Sequence, residues 1–456
     1  MMRCAVALAA LILAGCSGGG GAEPPRSSPG TPAVRAPVAI AAEHWPEPVR
    51  YALDLRYDAG RFALAGEETI SFRNTGPEPL ERIWLRTWGN AFGGCDRLYV
   101  RVEVRTGGSA GGQRVDCTAL EVRLAEPLAP GSEATLGLRI DVQTPKRPDR
   151  YGRFRGAAYF GNALPLLAVA GEDGWALAPY TFHGDSFFSL SAAWDVRLRL
   201  PRGVHAATTG EQVGGEDGAI HATAGAARDF MIVAGPLHEK SGRAGGVIVR
   251  HWSVDARAPE GGRAIRVARR TLRSYARWFG PYGRAELDIV EGPRSVARGA
   301  GLAMEYPELV LSPADPGILG HEIAHQWWYG IVGNDEYAEP WLDESFANYA
   351  VFRLLGGSAR CPPRPWRPPL TASMGAFERG NSGAYAAVVY RGGPCALRIV
   401  QRGLGRARFG ALLRRVVDEH RDGVLTTAAF VAAVRATAPA GVDAGALLRR
   451  AGIVGR

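Results

Sequence analysis

Lysine is almost missing from this chain: in 456 residues it occurs only at Lys146 and Lys240. Arginine therefore carries the formal charge of +9. No recognisable nucleic-acid module accompanies that charge, so no nucleic-acid partner is expected. The densest arginine set is Arg263, Arg266, Arg269, Arg270, Arg273 and Arg277. It lies at helical spacing opposite Ile265, Ala268, Leu272, Tyr275, Ala276 and Phe279, the pattern of a helix with one solvated face. Long apolar runs are lacking too. Residues 5–14 form one, but it is too short to span a bilayer as a mature helix. There is no internal repeat, and no cysteine pair has zinc-finger spacing, so structural zinc held through sulfur is not expected.

What is present is ordinary globular material, 46% hydrophobic and 22% charged. The length exceeds what one core usually absorbs, so two or three domains are expected. The N-terminal apolar run, with an arginine ahead of it and Leu13-Ala14-Gly15-Cys16 behind it, reads as an export signal. The small residues before Cys16 resemble a bacterial lipobox, which would make Cys16 a lipidated anchor in a membrane facing outside the cytoplasm. The glycine- and proline-rich stretch that follows suits a flexible tether. Outside the cytoplasm an even cysteine set favours disulfides. Four cysteines remain once Cys4 and Cys16 are set aside. Of the three possible connectivities, Cys95–Cys117 with Cys361–Cys395 keeps each bridge within one half of the chain.

From Val49 to about Pro236 the hydrophobic period is two, and clusters of Gly, Pro and Asn separate the runs. Many short strands without intervening helices predict a β-sandwich-like domain. Beyond it the texture changes to an α/β and then helical pattern, with "CPPRPWRPPLT" as a loop. The expected organisation is a signal over 1–16, a tether over 17–43, a β-domain over 44–237 and a second domain over 238–456.

"HEIAHQWWYG" at residues 321–330 carries the chemistry. On a helix, His321 and His325 share one face, about 6 Å apart along the axis. Two imidazoles so placed can reach one zinc ion, and Glu322 beside them can take a proton from its water. Zinc needs a third protein ligand. "WLDESFANYA" offers Glu344 on an apolar helical stripe of Leu342, Phe346 and Tyr349. Trp327 and Trp328 are expected to be packing residues.

These motifs resemble the zinc signature of the aminopeptidase N-like family of gluzincin metallopeptidases. "GLAMEYP", residues 301–307, is similar to that family's Gly-x-Met-Glu-Asn exopeptidase motif, and "AYAAVVYRGG", residues 384–393, to its segment bearing the catalytic tyrosine. The resemblance implies a β-domain packed on a thermolysin-like α/β catalytic domain, without the family's helical-repeat C-terminal domain. It implies one zinc per chain, bound by His321, His325 and Glu344, with Glu322 as general base and Tyr390 stabilising the oxyanion. Glu305 would hold the substrate's free amino group, with Ala303, Met304 and Tyr385 lining the peptide site. Three positions depart from the family pattern. Tyr306 replaces Asn, Asp343 replaces Asn, and Gly392 replaces Lys. Asn162 is expected near the pocket, and no second acidic residue for the amine is identified.

The expected function is therefore removal of N-terminal residues from peptides, with no obligate protein partner. An endopeptidase or other hydrolase on the same scaffold, or an inactive cell-surface binding lipoprotein, are the alternatives.

Overall fold

Between Val49 and Asp58 the side chains of Val49, Tyr51, Leu53, Leu55 and Tyr57 are buried while those between them face outward. That is the alternation of a strand lying on one core. The computed structural model describes residues 49–171, 174–214, 219–257, 259–293, 303–357, 361–379 and 382–455. The expected export signal 1–16, the expected lipidation site Cys16 and the expected tether 17–43 lie outside them. Val49–Asp58 pairs antiparallel with Ala63–Arg73 and parallel with Ala192–Arg199, at the centre of a seven-stranded sheet. A four-stranded sheet built on Leu80–Arg86 and Ala119–Leu128 faces it. Leu53, Leu55, Ile70 and Leu138 from the first sheet join Ile83, Leu85, Leu120 and Val122 from the second in one cluster. The expected sandwich-like packing is present.

A smaller sheet contains Tyr151–Phe154, Ala157–Phe160, His205–Thr208 and Ile232–Gly235. Its Ala157, Tyr159 and Val233 share a hydrophobic cluster with Trp252, Met304, Tyr306, Leu309 and Leu311. It thus forms the seat for the second half of the chain.

That half begins with a five-stranded sheet. Val247–Ser253, Glu286–Val290 and Leu309–Leu311 run parallel, and Met304–Tyr306 folds back antiparallel as an edge strand. Helix α1 (Glu260–Phe279) packs on it through Ile265, Ala268, Leu272, Tyr275 and Phe279, the stripe expected from the sequence. Gly280, at φ 103°, ends the helix before Pro281. Helix α2 (Pro316–Ala324) starts on Asp315, whose carboxylate accepts from Gly317 N–H at 2.8 Å and Ile318 N–H at 3.1 Å. Helix α3 (Trp341–Leu355) lies against α2 and ends at Gly356 in the left-handed region. The remaining helices, including Gly393–Leu404 and Arg406–Glu419, complete this core.

Both expected disulfides are present, with Cα separations of 5.2 Å for Cys95–Cys117 and 5.8 Å for Cys361–Cys395. The second ties the proline-rich loop to the helix Gly393–Leu404. There Trp366 lies over Gly392, where a Cβ would come within 2.9 Å of the indole. The tryptophan thus occupies the space that a longer side chain at 392 would need.

Tyr306 reaches across the seat between the two halves. Its hydroxyl donates to Asn162 Oδ1 at 3.2 Å, and Asn162 in turn donates to Asp229 at 2.8 Å. A Cβ on Gly161 would lie 1.9 Å from that hydroxyl. We expect Gly161→Ala to cost about 1–3 kcal/mol, because the buried ring has no room to withdraw. A fall in the urea midpoint with an unchanged slope would register it. An unchanged midpoint would show that the seat is looser than described.

Candidate metal centre and peptide cleft

Helical geometry holds from Pro316 to His325, so His321 and His325 share a face as expected. The helix does not run on to residue 330. It passes into a wider turn over Gln326–Ile331, broken at Trp328 (φ −104°, ψ 63°) and Tyr329. The break has a chemical result: the Trp328 carbonyl lies 3.2 Å from His325 Nδ1. A carbonyl inside a continuous helix points along the axis toward the residue four ahead and could not do this. Hydrogen bonding at Nδ1 leaves Nε2 as the free ligand nitrogen. The indoles of Trp327 and Trp328 are buried. Trp327 lies among Tyr275, Phe279 and Tyr282, and Trp328 lies on Phe346 at 4.4 Å.

Arg228, from the β-rich half, fixes this turn. Its guanidinium donates to the carbonyls of Tyr329 at 2.8 Å, Ser189 at 3.1 Å and Gly423. Asp343 and Glu344 sit in the first turn of α3, where carboxylates suit the helix dipole. Asp343 accepts from the Glu344 N–H at 2.6 Å. Ser345 donates to the Val389 carbonyl at 2.9 Å, and a Cβ on Gly393 would strike Ser345 Oγ at 1.8 Å. This close approach brings Tyr390 to α3, where its hydroxyl donates to Glu344 Oε1.

The three expected ligands converge. His321 Nε2 is 3.1 Å from His325 Nε2 and 3.1 Å from Glu344 Oε2, and His325 Nε2 is 3.5 Å from that same oxygen. Bonds of about 2.1 Å at tetrahedral angles require ligand atoms about 3.4 Å apart, so the triangle fits a zinc ion. Glu344 Oε2, Glu322 Oε2 and His321 Nδ1 are buried without a hydrogen-bond partner. Such orphaned polar atoms are costly unless something else satisfies them. Asn348, one turn beyond Glu344, neighbours His321.

The electrostatics also call for a cation. Asp185, Glu305, Glu322, Glu336, Asp343 and Glu344 are all buried. Burial, followed by Asp185, pushes Glu305 up to about 8. Burial and then Glu305 raise Glu322 well above the usual carboxylate range. Burial alone would raise Glu344, but the neighbouring His321 and His325 outweigh it and hold it low.

Glu305 stands on the edge strand beside this centre, and Met304 is buried next to it. Ala303, at the mouth of the strand, is half-buried. Tyr385 stands edge-on to Tyr390, with ring centres 5.5 Å apart. Two buried acids were missed from the sequence, Glu336 and Asp185. Asp185 in the β-rich half brings a carboxylate oxygen within 4.8 Å of both Glu305 and Glu344. Arg150 pairs with it, and Gly184 beside it lies under the Tyr385 ring. Its only sequence signal is a lone acid among the aromatics of "YTFHGDSFF".

No protein-family model matches the sequence. It is 30% identical over 105 residues to probable aminopeptidase 1 of Sulfurisphaera tokodaii, a match covering 20% of this chain and 13% of that protein. It is 22% identical over 193 residues to tricorn protease-interacting factor F2 of Thermoplasma acidophilum, covering 35% of this chain and 24% of that one. These matches thus span less than a quarter of the curated relatives' length. Among solved structures, an M1 zinc metallopeptidase from Deinococcus radiodurans superposes with a TM-score of 0.64 at 24% identity, over 90% of this chain and 94% of its own. A glutamate-to-alanine mutant from the same organism, bound to a Tyr-Ser-Ala substrate, gives 0.61 at 24% identity, over 89% and 94%.

Proposed function

From the fold of the M1 zinc metallopeptidases, which this chain shares, we propose a zinc-dependent aminopeptidase. Its β-domain (44–237) would complete a peptide cleft on a thermolysin-like domain (238–456). The triangle of buried ligand atoms on His321, His325 and Glu344 carries this reading. Those residues would hold one zinc ion per chain. When bound, zinc supplies a Lewis acid for the scissile carbonyl and lowers the pKa of a water.

The chain's own residues do the rest. Glu322 takes a proton from the attacking water and hands it to the leaving amine. The Tyr390 hydroxyl exchanges its bond to Glu344 for one to the developing oxyanion. Glu305 and Asp185 form an acidic end wall for the substrate's ammonium group, which could not be buried unpaired without a large cost. The wall fixes the distance from amine to ligand triangle, so only the first peptide bond reaches the reacting centre. The edge strand bearing Ala303 and Met304 offers backbone groups to an extended peptide, and Tyr385 lines the cleft beside it. A relative of this fold binds Tyr-Ser-Ala as substrate, which supports peptides as the substrate class.

The test is a panel of aminoacyl and N-acetyl-aminoacyl substrates. Free amines are expected to be cleaved and acetylated ones to fail. Glu305→Ala should cut turnover of the free substrates at least tenfold with zinc retained. Equal cleavage of acetylated and free peptides would replace this reading with an endopeptidase.

The protein is further proposed to be exported and anchored through lipid on Cys16. Cys16→Ser is expected to move it from the membrane to the aqueous fraction with its peptidase activity intact. Unchanged lipid modification in that variant would dismiss Cys16 as the anchor site.

A further inference from the structure

Arg263, Arg266, Arg269, Arg270, Arg273 and Arg277 are all exposed on α1. Among the described residues, no carboxylate forms an ion pair with any of them. The pairs 266/270, 269/273 and 273/277 are like charges four apart on a helix, each destabilising by roughly 0.2–0.5 kcal/mol. The set spans about 20 Å along the axis. The basic face continues onto neighbouring elements. Arg353 stacks on Trp278 at 4.0 Å, and Arg406 and Arg414 are its charged neighbours.

The face also holds a half-open groove between α1 and the end of α3. Arg266 and Arg270 stand at its rim, and Val267, Leu354, Leu355 and Pro316 make its walls. Arg270 is tied to the wall through the Leu354 carbonyl at 3.5 Å. Leu355 is 40% exposed, one of the few large apolar side chains so open among the described residues. Thr271, only 1% exposed, also lines the groove, and its hydroxyl has no hydrogen-bond partner. Unpaired cations, an apolar wall and an orphaned hydroxyl thus meet in one place.

We propose that this face docks on an anionic phospholipid surface, with a headgroup phosphate between Arg266 and Arg270 and the glycerol–acyl region against Leu354 and Leu355. A free phosphate would leave the apolar wall wet. A single-stranded polynucleotide would want an open aromatic platform, but the Trp278 ring is already covered by Arg353. Each basic residue near an anionic membrane changes partitioning roughly fivefold, and salt screens the effect.

The experiment compares the full chain with an Arg266→Glu/Arg270→Glu/Arg273→Glu variant. Both are sedimented with vesicles of phosphatidylcholine alone and with vesicles containing 30% phosphatidylglycerol, at low and high salt. Both proteins carry Cys16→Ser, which removes the proposed lipid anchor, and retention through the N-terminal apolar run is read on the phosphatidylcholine vesicles and subtracted. Partitioning of the parent is expected to rise at least tenfold on the anionic vesicles and to fall back at high salt. The triple variant should lose that rise while keeping its thermal midpoint and peptidase rate. Leu355→Ser should reduce anionic binding severalfold without changing its salt dependence. Equal partitioning of parent and triple variant overturns the proposal. So does protection of the groove by inorganic phosphate alone, or a preference for single-stranded polynucleotide over anionic vesicles. If the triple variant does not fold, Arg266→Gln/Arg270→Gln gives the same reading with a smaller loss.

Discussion

Glu322→Gln is expected to bind zinc as the parent does and to lose turnover by about 10²–10⁴-fold. The side chain is isosteric with the original and is not one of the three converging ligands, so the triangle of His321, His325 and Glu344 stays intact. What would disappear is the group proposed to accept the water proton and return it to the leaving amine. Metal analysis beside steady-state kinetics separates the two effects. Zinc retained with near-normal turnover would rule out Glu322 as the base, and zinc lost would move Glu322 into the ligand set.

His325→Ala is expected to lose both metal and activity, leaving activity at background. The substitution removes one vertex of the triangle. It also leaves the Trp328 carbonyl and Glu344 Oε2 facing an uncompensated acidic pocket. Dialysis against a chelator followed by readdition of zinc reads this directly: the parent regains activity and the variant does not. Stoichiometric zinc in His325→Ala would reject the ligand assignment.

Much of this centre is legible in the linear sequence because its chemistry is local. His321, Glu322 and His325 lie within one helical turn and a residue, and Glu344 follows in the next helix. The strands were legible for a similar reason, since a period of two needs only neighbouring residues. What was hidden depends on contacts between distant segments. Asp185 approaches Glu305 from 120 positions away. Arg228 holds the turn after His325 from the other half of the chain. Neither sits in a recognisable spacing. The break at Trp328–Tyr329 was hidden too, because both are aromatic and neither forbids a helix. The contacts of Arg228 with the Tyr329 and Gly423 carbonyls hold it. The Tyr306 departure becomes understandable only when Gly161 is seen beneath it.

The contribution of Asp185, Gly184 and Asn162 has a practical consequence for protein engineering. The loop carrying Asp185 belongs to the β-rich half, yet it forms one wall of the cleft and touches Tyr385. Under the proposed function, exchanging that half between homologous proteins would transplant part of the selectivity for the terminal residue along with the scaffold. A chimera would also have to inherit matched partners, Gly161 with Tyr306 and Arg228 with the Tyr329 turn, or the graft would clash at its seam. The two halves are best treated as a co-adapted pair, and libraries aimed at new cleavage preferences should randomise residues on both sides of the join at once.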